Sequence, residues 1–234
     1  MQHAALRERV LEANVALGRA GLVTLTFGNA SAADREAGVV AIKPSGVSND
    51  RLRAADVAVV ELASGELVDS RLRPSSDTPT HLALYRAWPA VGGVVHTHSP
   101  FATAWAQARR ELPCFGTTHA DHFDGAVPVT RPLAPSEIEG EYERATGDVI
   151  LETFASLALD PLDRPAVLIA SHGPFVWGAS VEEAVENAIV LETVAASAYR
   201  SVVLAAGLEA IPAELREKHF KRKHGAGAYY GQSA

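Results

Sequence analysis

The spacing of apolar and polar residues along the chain predicts alternating helices and strands. Near the N-terminus, apolar residues recur at three- and four-residue intervals over 6–17, with charged residues between them. This is the spacing of one buried helix face, and Gly21 predicts the end of that helix. A short β-branched and apolar run over 23–27 predicts a first strand, which runs into a turn at 28–29.

Further strands are predicted where short apolar runs end in turn residues, and further helices where longer runs follow proline or a capping residue. The predicted strands cover 38–42, 57–62, 66–68, 93–98 and 166–171. The predicted helices cover 79–88, 100–109, 136–154, about 181–206 and 212–224. A capping box, Ser180 to Glu183, opens the longest of them. Because hairpins and helical connections are mixed throughout, we expect an α/β protein with an antiparallel or mixed sheet covered by helices, in a single domain over residues 1–234.

Composition narrows the class of protein. Hydrophobic residues make up 47% of the chain, which is enough for a sizeable core and excludes a disordered chain. The single cysteine, Cys114, excludes a disulfide framework and a cysteine-rich zinc finger. The formal net charge of −7 argues against nucleic acid as a partner. With no signal-peptide pattern and no long uncharged apolar stretch, we expect a cytoplasmic protein with no membrane partner.

Three histidines are the strongest candidates for chemistry. His96 and His98 stand two residues apart in a predicted strand, so that their side chains share one face. Two polar residues on a solvated strand face would give the same pattern, but the apolar residues before His96 favour burial. His172 follows the predicted strand at 166–171. Three imidazoles that converge would leave one open position on a metal ion, as catalytic sites do.

Two serine-rich turns are candidates for binding an anion. One covers 74–80 and precedes a predicted helix, and the other covers 43–46 and follows a predicted strand. Hydroxyl groups and free backbone amides at such positions favour a phosphate. The simpler interpretation of the first turn is a serine or aspartate helix cap.

The remaining polar candidates lie toward the C-terminus. Asp121 is either a turn residue or an acid/base group. The basic run 221–224 is typical of a solvated helix face. Tyr230 lies in a glycine-rich tail, and a role for it requires that the tail docks onto the folded protein.

Taken together, these segments resemble the L-ribulose-5-phosphate 4-epimerase family of the class II aldolase/epimerase superfamily. The resemblance extends from Val10 to Gln232, nearly the whole chain, and is specific because it rests on many separated motifs. They are LVTLTFGNAS (22–31), IKPSGV (42–47), PSSDTPTH (74–81), VHTHS (95–99), GTTHAD (116–121), SHGPFVWG (171–178), NAIVLE (187–192) and KHGAGAYYG (223–231).

The resemblance implies a central, mainly antiparallel sheet between helical layers, and a homotetramer with active sites at the interfaces between subunits. It implies that His96, His98 and His172 bind a metal, with Asp77 as the associated carboxylate. Asp121 and Tyr230 match the catalytic acid/base pair, with Tyr230 docking on a neighbouring subunit. The positions that match substrate-binding or supporting residues are Gly28, Asn29, Lys43, Ser45, Gly46, Ser75, Ser76, Thr117, Glu143 and His219.

The resemblance further implies that the substrate is a small pentulose phosphate and that the cofactor is a divalent metal, Zn²⁺ with Mn²⁺ or Co²⁺ as substitutes. The reaction would invert C4 of L-ribulose 5-phosphate to give D-xylulose 5-phosphate, by cleavage and re-formation of the C3–C4 bond. Three alternatives stay open. They are an aldolase of the L-fuculose-1-phosphate type, a 4-epimerase for another pentulose phosphate such as L-xylulose 5-phosphate, and a non-catalytic protein on the same fold. Asp77 favours the epimerase, because the aldolases have a longer glutamate there.

Overall fold

A computed structural model describes residues 2–224 and 227–230. Gly225, Ala226 and Gly231 of the motif at 223–231, together with Met1 and 232–234, lie outside the described residues. In the described part of the chain, none of the helices is both long enough and apolar enough to cross a bilayer.

Seven strands and eight α-helices make up the described fold. The strands are β1 (Asn29–Asp34), β2 (Val39–Ile42), β3 (Ala58–Glu61), β4 (Leu67–Asp69), β5 (Gly93–His96), β6 (Ala166–Leu168) and β7 (Pro174–Gly178). The helices are α1 (Ala4–Arg19), α2 (Thr78–Ala87), α3 (Pro100–Gln107), α4 (Thr117–Ala120), α5 (Pro135–Glu139), α6 (Tyr142–Ser156), α7 (Val181–Leu204) and α8 (Ala213–Lys223).

The strands form one sheet in the order β4-β3-β2-β1-β5-β7-β6. All six neighbouring pairs are antiparallel. The predicted antiparallel sheet is therefore confirmed, and the hairpin of β3 and β4 lies at one edge of it.

Helices cover both faces of this sheet. Consecutive strand residues point to opposite faces, and in β3 Val59 joins one hydrophobic core while Val60 joins the other. Helices α1, α3 and α7 contribute to the first core, and α2 and α6 contribute to the second. Strands β2, β5, β6 and β7 are buried along their whole length, which agrees with their apolar composition, whereas the edge strand β4 is largely exposed. The expected arrangement of a sheet between helical layers is confirmed.

The strand predicted over 23–27 is wrong, and β1 lies directly after it. Residues 23–28 form turns and irregular backbone, in which Leu25 has a positive φ of 55° and an exposed side chain.

The buried side chain of Asn14 on α1 binds the backbone of β1 and stabilises this strand. Its Oδ1 accepts from the amide of Ala30 at 2.9 Å, and its Nδ2 donates to the carbonyl of the same residue at 3.3 Å. Small residues in β1 allow α1 to approach the strand closely.

Two other strands are shorter than the sequence predicts, and one strand was not predicted. β5 ends at His96 and β6 ends at Leu168, so both strands are shorter than predicted. β7 was missed because Gly173 and Pro174 suggest a turn rather than the start of a strand.

The single helix predicted over 136–154 is two helices, α5 and α6. Gly140 interrupts them with non-helical backbone at φ −91° and ψ −132°. Arg131 contacts both, through Glu137 on α5 and Glu152 on α6, each at 2.8 Å. One guanidinium therefore bridges the two helices on the surface.

Of the two hydrogen bonds of the predicted capping box at the start of α7, the one from the Glu183 amide to Ser180 forms. Ser180 Oγ accepts from the amide of Glu183 at 3.2 Å. The Glu183 carboxylate accepts from the amide of Ala179 at 2.8 Å, one residue before the cap.

Candidate metal centre and active site

One end of the sheet gathers the residues that the sequence singles out. Because neighbouring strands are antiparallel, the start of β1 at Asn29 lies beside the ends of β2 and β5. Lys43 follows the last residue of β2, and His96 is the last residue of β5. Pro174, the first residue of β7, lies at the same end.

Three imidazoles converge at this end and form what we call the histidine centre: His96, His98 and His172. One nitrogen from each lies within 4.8 Å of the others. The Nε2 atoms of His96 and His98 are 3.1 Å apart. His98 lies two residues beyond β5, so the backbone after the strand, rather than a continuous strand face, brings the two rings together.

Contacts at the opposite ring nitrogens fix the orientation of two of these rings. His96 Nδ1 donates to the carbonyl of Pro174 at 2.9 Å, and the ring stacks on Phe175 with centroids 4.3 Å apart. The Nδ1 of His172 is 3.3 Å from the Tyr142 hydroxyl. Such contacts leave the other nitrogen free and are typical of metal-binding histidines.

The protonation state of the rings suits a metal ion. Burial lowers the pKa of His96 to about 3, and it lowers the pKa of His98 and of His172 as well. Neutral imidazoles are the form that binds metals. The three-histidine set therefore fits a divalent cation with an open coordination position.

Asp77 is the residue before α2, and its carboxylate interacts electrostatically with all three imidazoles of the histidine centre. Burial would raise its pKa, but electrostatic interactions with the imidazoles of His96 and His81 and a hydrogen bond from Asn29 outweigh burial and hold the pKa below its usual range. Asn29 Nδ2 donates to Asp77 Oδ2 at 2.6 Å. Among the described residues, the set of mutually close ligand atoms comprises the three histidines without Asp77. The ionised carboxylate thus supplies negative charge beside the histidine centre.

The two serine-rich turns lie side by side next to Asn29. The amide of Ser75 donates to the carbonyl of Lys43 at 3.0 Å, and the amide of Ser45 donates to the carbonyl of Arg73 at 3.0 Å. Ser75 Oγ also accepts from Asn29 Nδ2 at 3.1 Å. Two turns that the sequence suggests separately therefore form one polar surface, and Ser45, Gly46 and Ser76 are exposed on it.

Two polar groups, the Lys43 amine and Asn29 Oδ1, are buried beneath this surface. Lys43 is only 2% exposed, and its Nζ donates to the carbonyl of Thr26 at 3.1 Å. Burial lowers the pKa of this amine, and Asp77 opposes that effect. Asn29 Oδ1 is buried with no hydrogen-bond partner among the described residues. A buried polar atom without a partner is costly, so a water or a ligand group is the natural partner of Asn29.

Gly28 is required by its position against the centre. Its φ is +76°, and a Cβ there would lie 2.7 Å from the carbonyl oxygen of His96. We expect Gly28→Ala to cost more than the ~1–2 kcal/mol of a left-handed backbone alone. The free energy of unfolding, measured in urea, checks this expectation.

Gly38→Ala is the matched control for Gly28→Ala. Gly38 also has a positive φ, of +68°, but a Cβ there meets nothing within 4 Å. We expect Gly38→Ala to lose only the stability that a left-handed backbone costs a residue with a Cβ, and we expect the variant to keep its metal content. Equal losses of stability in the two variants would show that the close approach to His96 has no cost.

A second group of candidate residues surrounds Asp121, and we call Asp121, His219, Arg222 and Tyr230 the Asp121 cluster. Arg222 Nε and Nη2 donate to the two oxygens of Asp121 at 2.8 and 2.6 Å. His219 Nδ1 is 3.0 Å from Asp121 Oδ1. Burial would raise the pKa of Asp121, but the hydrogen bonds from Arg222 and His219 outweigh it and hold the pKa below its usual range. The carboxylate is therefore ionised, and both of its oxygens accept hydrogen bonds from α8.

Tyr230 lies on the other side of the same arginine. The Arg222 guanidinium is 4.6 Å from the centroid of the Tyr230 ring, and the phenol ring is largely exposed. This placement in one chain differs from the expectation that Asp121 and Tyr230 meet only across a subunit contact. Tyr230 does dock onto the folded protein, as a catalytic role requires.

The remaining candidates divide between these two groups. Thr117 opens α4, and its carbonyl accepts from the amide of Asp121 at 2.9 Å. Glu143 lies in the first turn of α6, next to Tyr142, whose hydroxyl contacts His172. Within residues 2–224 and 227–230, no hydrogen bond or aromatic contact joins the histidine centre to the Asp121 cluster.

Sequence reasoning missed two residues of these groups. Tyr142 contacts a histidine of the centre, but a single tyrosine at a helix start gives no local signal. Arg222 belongs to the basic run 221–224, and the interpretation of that run as a solvated face is wrong for this residue. Lys223 also turns inward, and its Nζ donates to His122 Nε2 at 3.0 Å.

Comparison with known proteins identifies relatives over nearly the whole chain. The family model "Class II Aldolase and Adducin N-terminal domain" matches residues 8–199. A protein of Salmonella paratyphi A named L-ribulose-5-phosphate 4-epimerase UlaF is 52% identical over 227 residues, which is 97% of this chain and 98% of that protein.

Solved structures show the same fold. A structure named L-fuculose 1-phosphate aldolase superposes with a TM-score of 0.78 and 23% identity, covering 95% of this chain and 97% of the other. The YgbL protein of Klebsiella pneumoniae superposes with a TM-score of 0.71 and 26% identity, covering 93% and 99%.

Proposed function

This chain belongs to the class II aldolase and adducin family, and we propose that it is a metal-dependent epimerase that converts L-ribulose 5-phosphate to D-xylulose 5-phosphate. One structural observation carries the proposal: the histidine centre lies beside a polar surface built from two serine-rich turns. A sugar phosphate needs both a cation near its carbonyl and donors around its phosphate. The 52% identity to a relative named for this reaction supports the choice of substrate.

The position of the inverted carbon determines the type of chemistry. C4 of a 2-ketopentose is not adjacent to the C2 carbonyl, so removal of its hydrogen would leave an unstabilised carbanion. Cleavage of the C3–C4 bond avoids this difficulty, because its electron pair is delocalised toward the C2 carbonyl. It yields the enediolate of dihydroxyacetone and glycolaldehyde phosphate. Rotation of the aldehyde and re-formation of the bond inverts C4.

The histidine centre would hold the cofactor that this cleavage needs. A divalent cation bound there supplies Lewis-acid stabilisation of negative charge on the substrate oxygens. We assign Zn²⁺, because imidazole ligands suit it, with Mn²⁺ or Co²⁺ as substitutes. Asp77, held ionised and hydrogen-bonded to Asn29, contributes charge around the cation.

The two serine-rich turns have a separate task. The phosphate end must stay bound while the aldehyde rotates, otherwise the fragment escapes. The hydroxyl groups of Ser45, Ser75 and Ser76 and the backbone amides of Gly46 and Ser76 would serve this purpose, and Lys43 and Asn29 lie beneath them. The amides of Ser45 and Ser75 instead donate to the carbonyls of Arg73 and Lys43, which holds the two turns together.

The reaction requires two proton transfers at the C4 oxygen, and we assign them to the Asp121 cluster. One group takes the C4 hydroxyl proton when the C3–C4 bond breaks, and another returns a proton to the C4 oxygen when the bond re-forms. Asp121, held ionised by Arg222, is suited to accept, and the Tyr230 phenol is suited to donate; in the reverse direction the roles exchange. Thr117 and His219 support this pair, and Glu143 supports the histidine centre.

We propose that the histidine centre of one copy works with the Asp121 cluster of another copy, in a homotetramer. Within one chain the two groups are not joined by any described contact. The C-terminal half of α7 also leaves large apolar side chains exposed, among them Val203 at 68% and Leu204 at 88%. Such a surface is typical of contacts between subunits.

Product analysis with purified, metal-loaded protein tests the proposal. We expect L-ribulose 5-phosphate to convert to D-xylulose 5-phosphate, without accumulation of glycolaldehyde phosphate. NMR of the reaction mixture resolves both sugars and the aldehyde. Accumulation of the aldehyde would indicate an aldolase, and conversion of L-xylulose 5-phosphate alone would indicate an epimerase for another pentulose. No turnover of any sugar phosphate would indicate a non-catalytic relative.

A further inference from the structure

We infer that Arg222 is a positioning residue that holds both Asp121 and Tyr230 in place, so that the acid/base pair behaves as one unit. The inference rests on the proposed function, because it deepens the role given to these two residues. Among the described residues, Arg222 is the one whose side chain contacts both of them.

The contact of Arg222 with Asp121 both orients the carboxylate and keeps it ionised. Two parallel hydrogen bonds, at 2.8 and 2.6 Å, match the guanidinium fork to both carboxylate oxygens. His219, one helical turn earlier on α8, adds a contact at 3.0 Å. The Asp121 side chain is therefore held by two residues of a helix that is distant in the sequence.

The contact with Tyr230 uses the face of the same guanidinium. The ring centroid lies 4.6 Å away, within the range of a cation–π interaction. The carbonyl of Arg222 also accepts from the amides of Tyr229 and Tyr230, at 2.9 and 3.0 Å. Side chain and main chain of one residue thus bind the segment that presents the phenol.

None of the neighbouring residues Lys221, Lys223 and His224 has a side chain that contacts both the Asp121 carboxylate and the Tyr230 ring in the described structure. Lys223 Nζ is 4.8 Å from the Tyr230 ring centroid but donates to His122 rather than to Asp121. His224 Nε2 contacts only the backbone carbonyl of Asp121, at 3.0 Å. Lys221 points away and pairs with Glu217 on the exposed face of α8. Lys221 therefore provides a matched control on the same helix.

The test compares Arg222→Ala, Arg222→Lys and Lys221→Ala in the full-length, metal-loaded protein. Misplacement of catalytic groups by about 1 Å can cost ~10²-fold in rate. We expect Arg222→Ala to lower kcat about 10²-fold with KM changed less than about threefold and metal content unchanged. Arg222→Lys keeps the charge without the fork, so we expect an intermediate loss. Lys221→Ala should match the wild type.

Chemical rescue separates positioning from a general loss of structure. We expect added guanidinium at tens of millimolar to restore at least tenfold of the lost kcat in Arg222→Ala. Methylammonium at the same concentration should restore less, and guanidinium should not accelerate the wild type. A kcat of Arg222→Ala within about threefold of the wild type, or no response to guanidinium, would overturn the inference.

A second measurement needs no substrate. The Arg222 guanidinium packs against the Tyr230 ring, and the amides of Tyr229 and Tyr230 donate to the backbone carbonyl of Arg222. Removal of the side chain should loosen the segment that the ring anchors, so we expect hydrogen exchange over 227–230 to accelerate in Arg222→Ala and to stay unchanged in Lys221→Ala. Unchanged exchange in Arg222→Ala would overturn the inference even if the chain acts on another substrate. Failure of the proposed function would instead appear as an inactive wild type with this exchange difference preserved.

Discussion

Replacing both His96 and His98 with asparagine should remove the bound metal and lower turnover at least about 10³-fold. The double variant loses two of the three imidazoles whose nitrogens lie within 4.8 Å of one another. Lewis-acid stabilisation is worth several kcal/mol, and each 1.36 kcal/mol corresponds to about tenfold in rate. Metal analysis of the purified protein, together with the epimerase assay, measures both effects.

His3→Asn is the control for this double variant. His3 precedes α1 with a positive φ of 53°, which asparagine also adopts readily, and it is remote in sequence from the histidine centre. We expect wild-type metal content and activity from it. A double variant at His96 and His98 that kept full metal content and full activity would show that the histidine centre is not the metal site.

The histidine centre and the serine-rich turns could be predicted from the sequence because their signals are local. His96 and His98 are two residues apart, and His172 follows a short apolar run that reads as a buried strand. The prediction of this site did not depend on the exact end of the strand. β5 ends at His96 rather than at His98, and the two rings still converge.

Features that depend on distant parts of the chain could not be predicted in this way. β1 has small residues of low strand propensity, and it forms because β2 and β5 flank it and Asn14 binds its backbone. Arg222 was interpreted as a solvated residue, because its partner Asp121 lies 101 positions away. Local patterns identify ligands and turns, but they do not show which charged residue of a helix faces inward.

The separation between the histidine centre and the Asp121 cluster makes a prediction about subunits. If each active site combines the histidine centre of one copy with the Asp121 cluster of another, two different inactive variants can repair each other. A chain with His96→Asn and His98→Asn keeps an intact Asp121 cluster. A chain with Asp121→Asn keeps an intact histidine centre, although its own turnover should fall roughly 10²–10⁴-fold.

Mixing these two inactive chains, with dissociation and reassembly, should restore about a quarter of the wild-type activity. In a random mixture of equal parts, half of the copies offer an intact histidine centre and half of their neighbours offer an intact Asp121, which makes roughly one site in four complete. The epimerase assay measures the recovery, and native mass spectrometry verifies that mixed assemblies have formed.

A second mixture, of Asp121→Asn with Tyr230→Phe, provides the matched negative control. Arg222 holds both of these residues in one chain, so every copy in this mixture carries one defect in its Asp121 cluster. We expect its activity to stay at the level of the parents. If instead the first mixture stays inactive while mixed assemblies are present, each active site lies within a single chain. The arrangement between copies would then be wrong, and the assignment of the three histidines to the metal would still stand, because metal analysis tests it independently.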